Sequence, residues 1–496
     1  MQFRLVFLII GILLTALGCS MVIPAIIDFL WHDFDWRVFA NAAMICIFVG
    51  VSLILTNLRA PMQGSLTIRE AYLLTASSWI VVALFAALPF SMSNLQLSYT
   101  DAFFEAMSGL TTTGSSVLTG PQLAQPGILL WRGLLQWLGG IGIIVMAVAL
   151  LPMMRIGGMQ LFRTESSDRS EKALPMFSQI VGNIFWTYVA FTLLCIIGLR
   201  MAGMPAFDAV AHALATVSTG GFSTWDTSLG HYDNPGAEVV TIIFMLLGSI
   251  TFTLYLRLWH GRAGTIWRDS QLRWFLGITA TLVTVMTVWL IVAREVSPVE
   301  ALRKASFNIV SIITTTGFAT DDYAQWGPFA VGVFFFVTFV GGCTGSTSGG
   351  LKIFRIQVLF QVTRSQLRRV LYPHGVFPAT YQGRPISIDV QWSVIAFVFL
   401  FGASFAAITL LLALQGLDFL TSASGAATAL ANVGPGLGDL LGPVGNFASL
   451  PAAAKWVLSF GMLLGRLELI TLLTLLTPSF WRRAGTQTST PGRPRP

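Results

Sequence analysis

Threonine-, serine- and glycine-rich stretches occur at four places in the chain, each between two apolar runs. When their glycines are superposed, the stretches read TTTG, VSTG, TTTG and ANVG and end at Gly114, Gly220, Gly317 and Gly434. Backbone carbonyls and threonine hydroxyls can replace the water around a cation when several such segments meet at one narrow opening. Glycine suits the opening because it reaches positive φ and has no side chain to obstruct it. The chemistry to expect is cation coordination by oxygen.

The residues next to these glycines complete a candidate selectivity filter. They are Thr112, Thr113 and Gly114; Ser218, Thr219 and Gly220; Thr315, Thr316 and Gly317; and Asn432, Val433 and Gly434. We expect the cation at these residues only, with the carbonyls of Thr113, Thr219, Thr316 and Val433 forming one ring. A single TTTG is more often a helix end with polar neighbours, but four copies between apolar runs favour a filter.

A moderately apolar segment, about half as long as a membrane span, precedes each stretch. These segments begin at Asp101, Phe207, Ala301 and Thr421. Each can enter the membrane as a helix, stop partway and return as extended chain, because irregular backbone at that depth is tolerated where protein buries it or water lines it. The negative C-terminal ends of the four short helices would point at the same opening. The pattern predicts a unit of helix, pore helix, filter loop and helix, repeated four times.

The composition is that of a membrane protein. The 496 residues are 54% hydrophobic and only 10% charged, with a mean hydropathy of +0.74, outside the range of soluble globular proteins. Uncharged runs long enough to cross a bilayer recur, for example at residues 5–27, 38–58, 71–90 and 274–293. We expect an all-α integral membrane protein with about ten transmembrane helices, four repeats around a pseudo-fourfold pore, and an N-terminal helix pair.

The runs divide the chain into six expected segments, with connecting stretches between some of them. They are the N-terminal transmembrane helix pair (1–60), pore repeats 1 to 4 (61–155, 173–260, 270–362 and 385–480) and a cytoplasmic tail (481–496). The first run resembles a lipoprotein signal, since it has a basic start and Cys19. Because apolar character continues to Leu30, and Ala16 stands where leucine is usual, a retained helix is the better interpretation.

The net charge of +7 is distributed by loop. Most Lys and Arg residues lie in loops that begin near Met153, Leu256 and Thr363 and in the C-terminal tail. The alternate loops contain Asp33, Asp35, Asp101, Asp208, Asp226, Asp233, Asp321, Asp322, Asp418 and Asp439. By the positive-inside rule, both termini face the cytoplasm. The positive charge therefore reflects membrane topology, and no nucleic-acid partner is expected. The acidic outer face would attract cations.

Five motifs, together with the fourfold repeat, resemble the TrkH branch of the Trk/Ktr/HKT potassium transporter superfamily. They are STGGFST at Ser218, SIITTTGFAT at Ser311, LANVGPG at Leu430, GGCTGSTSGGLKIFR at Gly341 and GRLELIT at Gly465. The resemblance covers essentially the whole chain, including the N-terminal helix pair. It implies a potassium uptake protein of a bacterial inner membrane, with potassium as the substrate at the filter residues. It also implies a homodimer in membrane lipid, without a cofactor of its own, gated by a cytoplasmic TrkA-like ring that binds nucleotide.

The sequence departs from the repeat pattern in two places. Ser115 directly follows the first filter glycine, and the fourth repeat has Asn432 and Val433 where the others have Ser/Thr pairs. The pore is therefore only pseudo-fourfold. All four glycines are present, unlike in relatives that replace the first by serine and favour sodium.

A second irregular stretch, from Gly341 to Gly350, interrupts the closing helix of the third repeat. It has the glycine spacing of a phosphate-binding loop, but Leu351 stands where that motif needs lysine. Five glycines and several hydroxyls break the helix, which predicts a mobile plug beneath the filter, and the resemblance identifies this loop as the intramembrane gate. A static kink filled by neighbouring helices is the alternative. The candidate gate residues are Gly345, Ser346, Thr347, Ser348, Gly349, Gly350, Lys352 and Arg466.

Arg466 lies in the last spanning run, where an ionisable residue is costly and by default functional. Two interpretations stay open. Arg466 either ties repeats together by donating to carbonyls of the broken loop or acts as a positive barrier in the conduction path. Lys352, just after the glycine-rich loop, is a second candidate for gate chemistry.

No catalytic constellation is present, since the five histidines form no HExxH motif and no GxSxG motif occurs. Two other transport functions compete with a gated filter. A proton- or sodium-coupled potassium symporter would need paired intramembrane carboxylates, for which Glu468 is the only clear candidate. The potassium-binding subunit of an ATP-driven pump would share the pore architecture but would need a pump partner.

Overall fold

The computed structural model describes residues 3–33, 35–58, 67–149, 173–259 and 267–481, with residues 261 and 264. All of the expected cytoplasmic tail except Trp481 lies outside the described residues, as does Arg262 in one of the basic loops.

The described chain is helical apart from loops and one short hairpin. The N-terminal pair contains α1 (Phe3–Ser20), its continuation α2 (Val22–Leu30), and α3 (Trp36–Asn57). The first repeat contains α4 (Ile68–Ala86), α5 (Leu88–Met92), pore helix α6 (Tyr99–Leu110) and α7 (Pro126–Ala149). The second contains α8 (Ala173–Met201), pore helix α9 (Ala206–Val217), α10 (Pro235–Ser249) and α11 (Phe252–Trp259).

The second half of the chain repeats this order. The third repeat contains α12 (Ser270–Arg294), pore helix α13 (Pro298–Ile313), α14 (Pro328–Val337) and α15 (Ile353–Leu371). The fourth contains α16 (Ile388–Ala413), pore helix α17 (Phe419–Ala431), α18 (Gly438–Leu441), α19 (Ala452–Arg466), α20 (Leu469–Leu476) and α21 (Pro478–Trp481). Between these repeats, β1 (Thr380–Tyr381) and β2 (Arg384–Pro385) pair antiparallel, with Thr380 opposite Pro385 and Tyr381 opposite Arg384.

Seven helices of the described chain are long and apolar enough to cross a membrane, and two bent helix pairs bring the number to nine. The apolar helix α14 has only 10 residues, because the glycine-rich stretch follows it. Counting α14 and α15 as one interrupted span accounts for the ten spans expected from the sequence.

The four pore helices start at the ends of short loops. In three of them a side chain in the loop accepts a hydrogen bond from a backbone amide of the first turn: Ser98 from Asp101, Ser297 from Glu300, and Asp418 from Thr421. Such caps satisfy amides that have no partner within the helix. With 12, 12, 16 and 13 residues, the pore helices are too short to span a bilayer.

The closing helix is broken in three of the four repeats. In the third repeat the break is the glycine-rich stretch that the sequence indicated. The other two were not expected: α10 and α11 meet at a bend of 96°, and α19 and α20 at a bend of 116°. Both bends lie beside the glycine-rich stretch. Ser249, the last residue of α10, accepts a hydrogen bond from Ser348, and Arg466, the last residue of α19, donates one to the carbonyl of Thr347.

Candidate functional site

Each pore helix ends in the same backbone geometry. A residue in the left-handed region follows each helix: Thr112 (φ 53°), Thr219 (52°), Thr315 (57°) and Asn432 (53°). The amide of the next residue donates to a carbonyl five positions earlier: Thr113 to Ser108 at 2.8 Å, Gly220 to Ala215 at 2.8 Å, Thr316 to Ser311 at 2.8 Å and Val433 to Thr428 at 3.1 Å. These four segments are therefore structural equivalents.

This equivalence corrects the alignment of the second repeat. The glycines with positive φ at the next position are Gly114 (87°), Gly221 (78°), Gly317 (85°) and Gly434 (112°). By this equivalence, Gly221 is the counterpart of the other three glycines in the second repeat, and the carbonyl of Gly220 takes the position that was expected for Thr219. The sequence contains the signal, because GFST after Thr219-Gly220 matches GFAT in the third repeat. Superposing the first glycine of STGG missed it by one residue.

The four filter glycines each contact the neighbouring repeat. A Cβ on Gly114 would collide with the carbonyl oxygen of Gly220, one on Gly221 with that of Thr316, and one on Gly317 with that of Val433. A Cβ on Gly434 would lie 2.8 Å from the carbonyl oxygen of Thr113. The contacts run from repeat 1 to 2, 3, 4 and back to 1, so the segments close a ring. A pocket lined by Gly114, Gly221, Gly317, Gly434 and Asp226 opens on one side of it.

The two departures from the repeat pattern meet at one place in this ring. Ser115 Oγ donates to the carbonyl of Gly434 at 2.8 Å. Asn432 Nδ2 donates to Thr113 Oγ1 at 3.0 Å. Both bonds join repeats 1 and 4. Ser115 and Asn432, which depart from the repeat pattern, therefore each have a hydrogen-bond partner in the other repeat.

A buried ion pair supports the first two repeats behind the ring. Glu105 on α6 and Arg132 on α7 are 2.7 Å apart, with side chains 0% and 4% exposed. Arg132 also donates to the carbonyl of Ser223 at 2.7 Å, and Glu105 accepts from the amide of Val117 at 2.9 Å. Sequence reasoning missed this pair, although charged residues within apolar helices were the available signal.

The glycine-rich stretch lies directly against the candidate filter. The amide of Gly349 donates to Thr315 Oγ1 at 2.7 Å, and Thr219 Oγ1 donates to Thr347 Oγ1 at 3.1 Å. A Cβ on Gly349 would collide with the carbonyl oxygen of Ala431, the last residue of pore helix α17. The stretch therefore touches the filter segments of repeats 2, 3 and 4.

Hydrogen bonds join the two ends of this stretch to each other and hold the stretch to the second repeat. Gly341 donates to the carbonyl of Leu351 at 3.0 Å, and Leu351 to that of Phe339 at 2.9 Å. The amide of Cys343 donates to the carbonyl of Ser249 at 2.9 Å, at the bend between α10 and α11. The chain from Gly341 to Leu351 is a compact loop with its own anchors rather than a frayed helix.

Both cationic gate candidates bond to this loop. Arg466, 3% exposed, donates to the carbonyl of Thr347 at 2.8 Å and to that of Gly139 on α7 at 3.3 Å. Lys352 donates to the carbonyl of Ser348. Arg466 thus joins the loop to repeats 1 and 4. This is the contact expected if Arg466 ties repeats together by donating to carbonyls of the loop.

Glu468 lies at the bend between α19 and α20 and forms an ion pair with Arg355. The Arg355 guanidinium also stacks 3.6 Å from the ring centroid of Phe397. A pocket beside the loop is lined by Ser348, Lys352, Arg355, Arg466 and Glu468. Its lining includes three basic side chains and one acidic side chain.

The geometry suits passage of a cation. Four backbone segments converge, and their oxygens could hold an ion without side-chain carboxylates. The part of the chain that the structure describes contains no cluster of three or more His, Cys, Asp or Glu residues for a resident metal.

Comparison with known proteins gives the family. The profile of the TrkH family, described as a cation transport protein, matches residues 36–483. The chain belongs to the TrkH family.

Curated relatives match this TrkH-family chain over almost its whole length. The Trk system potassium uptake protein TrkI of Halomonas elongata is 44% identical over 96% of this chain and 96% of that protein. TrkH of Escherichia coli is 37% identical over 97% of this chain and 100% of that protein. The crystal structure of the potassium transporter TrkH from Vibrio parahaemolyticus matches with a TM-score of 0.89 and 36% identity, covering 97% of this chain and 100% of that one. The resemblance, the all-α multi-pass fold and the expectation of a transporter that is not an enzyme are confirmed.

Proposed function

We propose that this protein takes up potassium across a bacterial inner membrane through the ring that contains Gly114, Gly221, Gly317 and Gly434. The observation that carries the proposal is the closed order of contacts in which each filter glycine lies against a carbonyl of the next repeat. Such a ring lets four chain segments offer carbonyl oxygens to one dehydrated cation. The names of the relatives, potassium uptake proteins of Trk systems, supply the identity of the ion.

The gate in this proposal is the loop from Gly341 to Leu351. Its contacts with Thr315, Thr219 and pore helix α17 support a position across the path that an ion leaving the ring would take. Arg466 and Lys352 hold the loop by its carbonyls, and the charge of Arg466 repels a cation in the adjoining pocket. Opening therefore requires these carbonyl bonds to break. In this proposal Arg466 both ties the loop and acts as a barrier.

Regulation in this proposal comes from a separate cytoplasmic protein that binds nucleotide. The C-terminal half of α15 supports a docking surface, because exposed basic residues alternate there with exposed apolar ones. These residues are Arg364, Leu367 (62% exposed), Arg368, Arg369, Val370 (78%) and Leu371 (72%). Arg268, in the basic loop before α12, is also exposed, and we assign Arg262 of that loop to the same docking surface, although it lies outside the described residues. Helix α15 starts directly after Lys352, so a displacement of this surface would be transmitted along the helix to the gate.

The homodimer, the inward orientation of both termini and the segment boundaries stay predictions. The competing symporter receives less support, because the carboxylate of Glu468 is engaged by Arg355. A coupling carboxylate must be free to bind and release its ion in each cycle.

The deciding experiment is tracer flux and current in proteoliposomes under imposed potential and ion gradients. We expect potassium flux that follows its own electrochemical gradient and exceeds sodium flux. Uptake that requires a proton or sodium gradient would instead establish the symporter. Absence of flux until an ATPase partner is added would establish the pump subunit.

A further inference from the structure

Gln136 is a fully buried side chain on α7 that bonds to the filter segment of the neighbouring repeat. Its Nε2 donates to the carbonyl oxygen of Gly220 at 2.5 Å. Its Oε1 accepts from the amide of Phe222 at 3.1 Å. The amide of one side chain thus holds the backbone on both sides of the filter glycine Gly221.

Gly220 lacks a side chain where the other three repeats have one. The equivalent residues are Thr113, Thr316 and Val433. A Cβ on Gly220 would collide with the side-chain amide of Gln136. Because φ at Gly220 is not in the left-handed region, backbone geometry does not demand glycine there. The amide of Gln136 therefore occupies the space that a threonine or valine side chain fills in the other repeats.

The counterparts of Gln136 on the closing helices of repeats 2 and 4 are apolar. A closing-helix glycine lies against the same pore-helix carbonyl in three repeats: Gly139 against Leu110, Gly248 against Val217, and Gly465 against Leu430. The residues three positions before these glycines are Gln136, Met245 and Met462, all 0% exposed. Repeats 2 and 4 therefore have methionine where the first repeat has a polar amide.

We propose that Gln136 is a positioning residue for ion selectivity, which rests on the potassium-filter function proposed above. Among the four ring carbonyls of the described chain, that of Gly220 has a side-chain donor at hydrogen-bond distance. The bond restrains this carbonyl, and the positive amide hydrogen beside its oxygen weakens the field that the oxygen presents to the ion. Selectivity among alkali cations depends on how many carbonyl dipoles surround the ion, on their field strength and on their freedom to move. A carbonyl released from Gln136 could move toward a smaller ion, so sodium would gain relative to potassium.

The test is the potassium-to-sodium permeability ratio of purified protein in proteoliposomes. Gln136→Met copies the residue of the closing helices of repeats 2 and 4 and removes both bonds, and we expect the ratio to fall about tenfold, equivalent to about 1.4 kcal/mol. Gln136→Glu keeps the volume but replaces the donor to Gly220, and we expect a fall as well. If Gln136→Met does not fold, the permeability ratio of Gln136→Glu decides the test. The matched control is Gln357→Met, a buried glutamine on α15 whose Nε2 bonds to Ser270 and not to the ring.

A second pair of variants separates the hydrogen bond from the filling of space. Gly220→Thr alone should lower the ratio, because the new side chain displaces Gln136. Combined with Gln136→Ala, it gives the threonine room, as in repeats 1 and 3, but leaves the carbonyl without its donor, so we expect the ratio to stay low. A wild-type ratio in folded Gln136→Met or Gln136→Glu, or in the double variant, would overturn the inference. If instead the wild type does not prefer potassium, the proposed function fails first.

Discussion

Replacing Gly114 by serine tests the closed ring most directly. A Cβ at this position would overlap the carbonyl oxygen of Gly220, and the backbone has a φ of 87°, which L-residues with a side chain rarely adopt. Such a backbone costs about 1–3 kcal/mol on its own, before the overlap is relieved. Because the four segments touch in sequence, the carbonyl of Gly220 must move. We expect the potassium-to-sodium permeability ratio to fall at least about tenfold, since about 1.4 kcal/mol suffices for that change.

The other ring glycines give a graded series. Serine at Gly221 or Gly317 meets the carbonyls of Thr316 or Val433 and should act as strongly as at Gly114. Serine at Gly434 should act more weakly, because its Cβ would lie 2.8 Å from the nearest carbonyl oxygen. The series is measured by reversal potentials in potassium and sodium gradients, with insertion checked for each variant.

Gly109 provides the control within the same pore helix. A Cβ there would lie 3.1 Å from Leu135 Cβ and 3.2 Å from Phe222 Cε2, so serine strains packing behind the filter without reaching a ring carbonyl. We expect lower thermal stability with a permeability ratio close to wild type. An unchanged ratio in folded Gly114→Ser and Gly317→Ser would refute the ring and mean that the ion is selected elsewhere.

Three further predictions concern the gate, the partner and the support of the filter. Deleting residues 345–350 should raise basal cation flux without the partner, because the loop touches three filter segments; unchanged flux in an inserted protein would contradict a mobile plug. Charge reversal at Arg368 and Arg369 should weaken the complex with the regulatory protein more at low than at high salt, and a complex that survives would exclude this docking surface. Glu105→Gln should lower thermal stability strongly, because leaving Arg132 buried without its carboxylate costs about 3–5 kcal/mol. A melting temperature equal to wild type would show that the pair is not needed for stability.

Much of the fold could be predicted because it depends on local features of the chain. The length of each apolar run separates spanning helices from half-length pore helices. The glycines that end the pore helices could be located in three repeats, since only glycine-rich chain can turn back there. In the second repeat the structural alignment differs from the sequence alignment by one residue, because two adjacent glycines made the sequence pattern ambiguous. The geometry that follows Thr219 resolved it in favour of Gly221.

The sequence by itself determined a membrane protein of four pore repeats with a glycine-rich interruption in the third, because run length, charge and glycine content act locally. Only the tertiary structure decided which groups meet. Ser115 reaches Gly434 across 319 positions of chain, and Arg355 finds Glu468 across 113. The bend of 116° at which Glu468 lies has no glycine between its two helices, so the sequence gives no local signal for it. Such contacts depend on how the helices pack around one axis. A buried polar group needs a hydrogen-bond partner, but the local sequence does not indicate which distant residue will provide it.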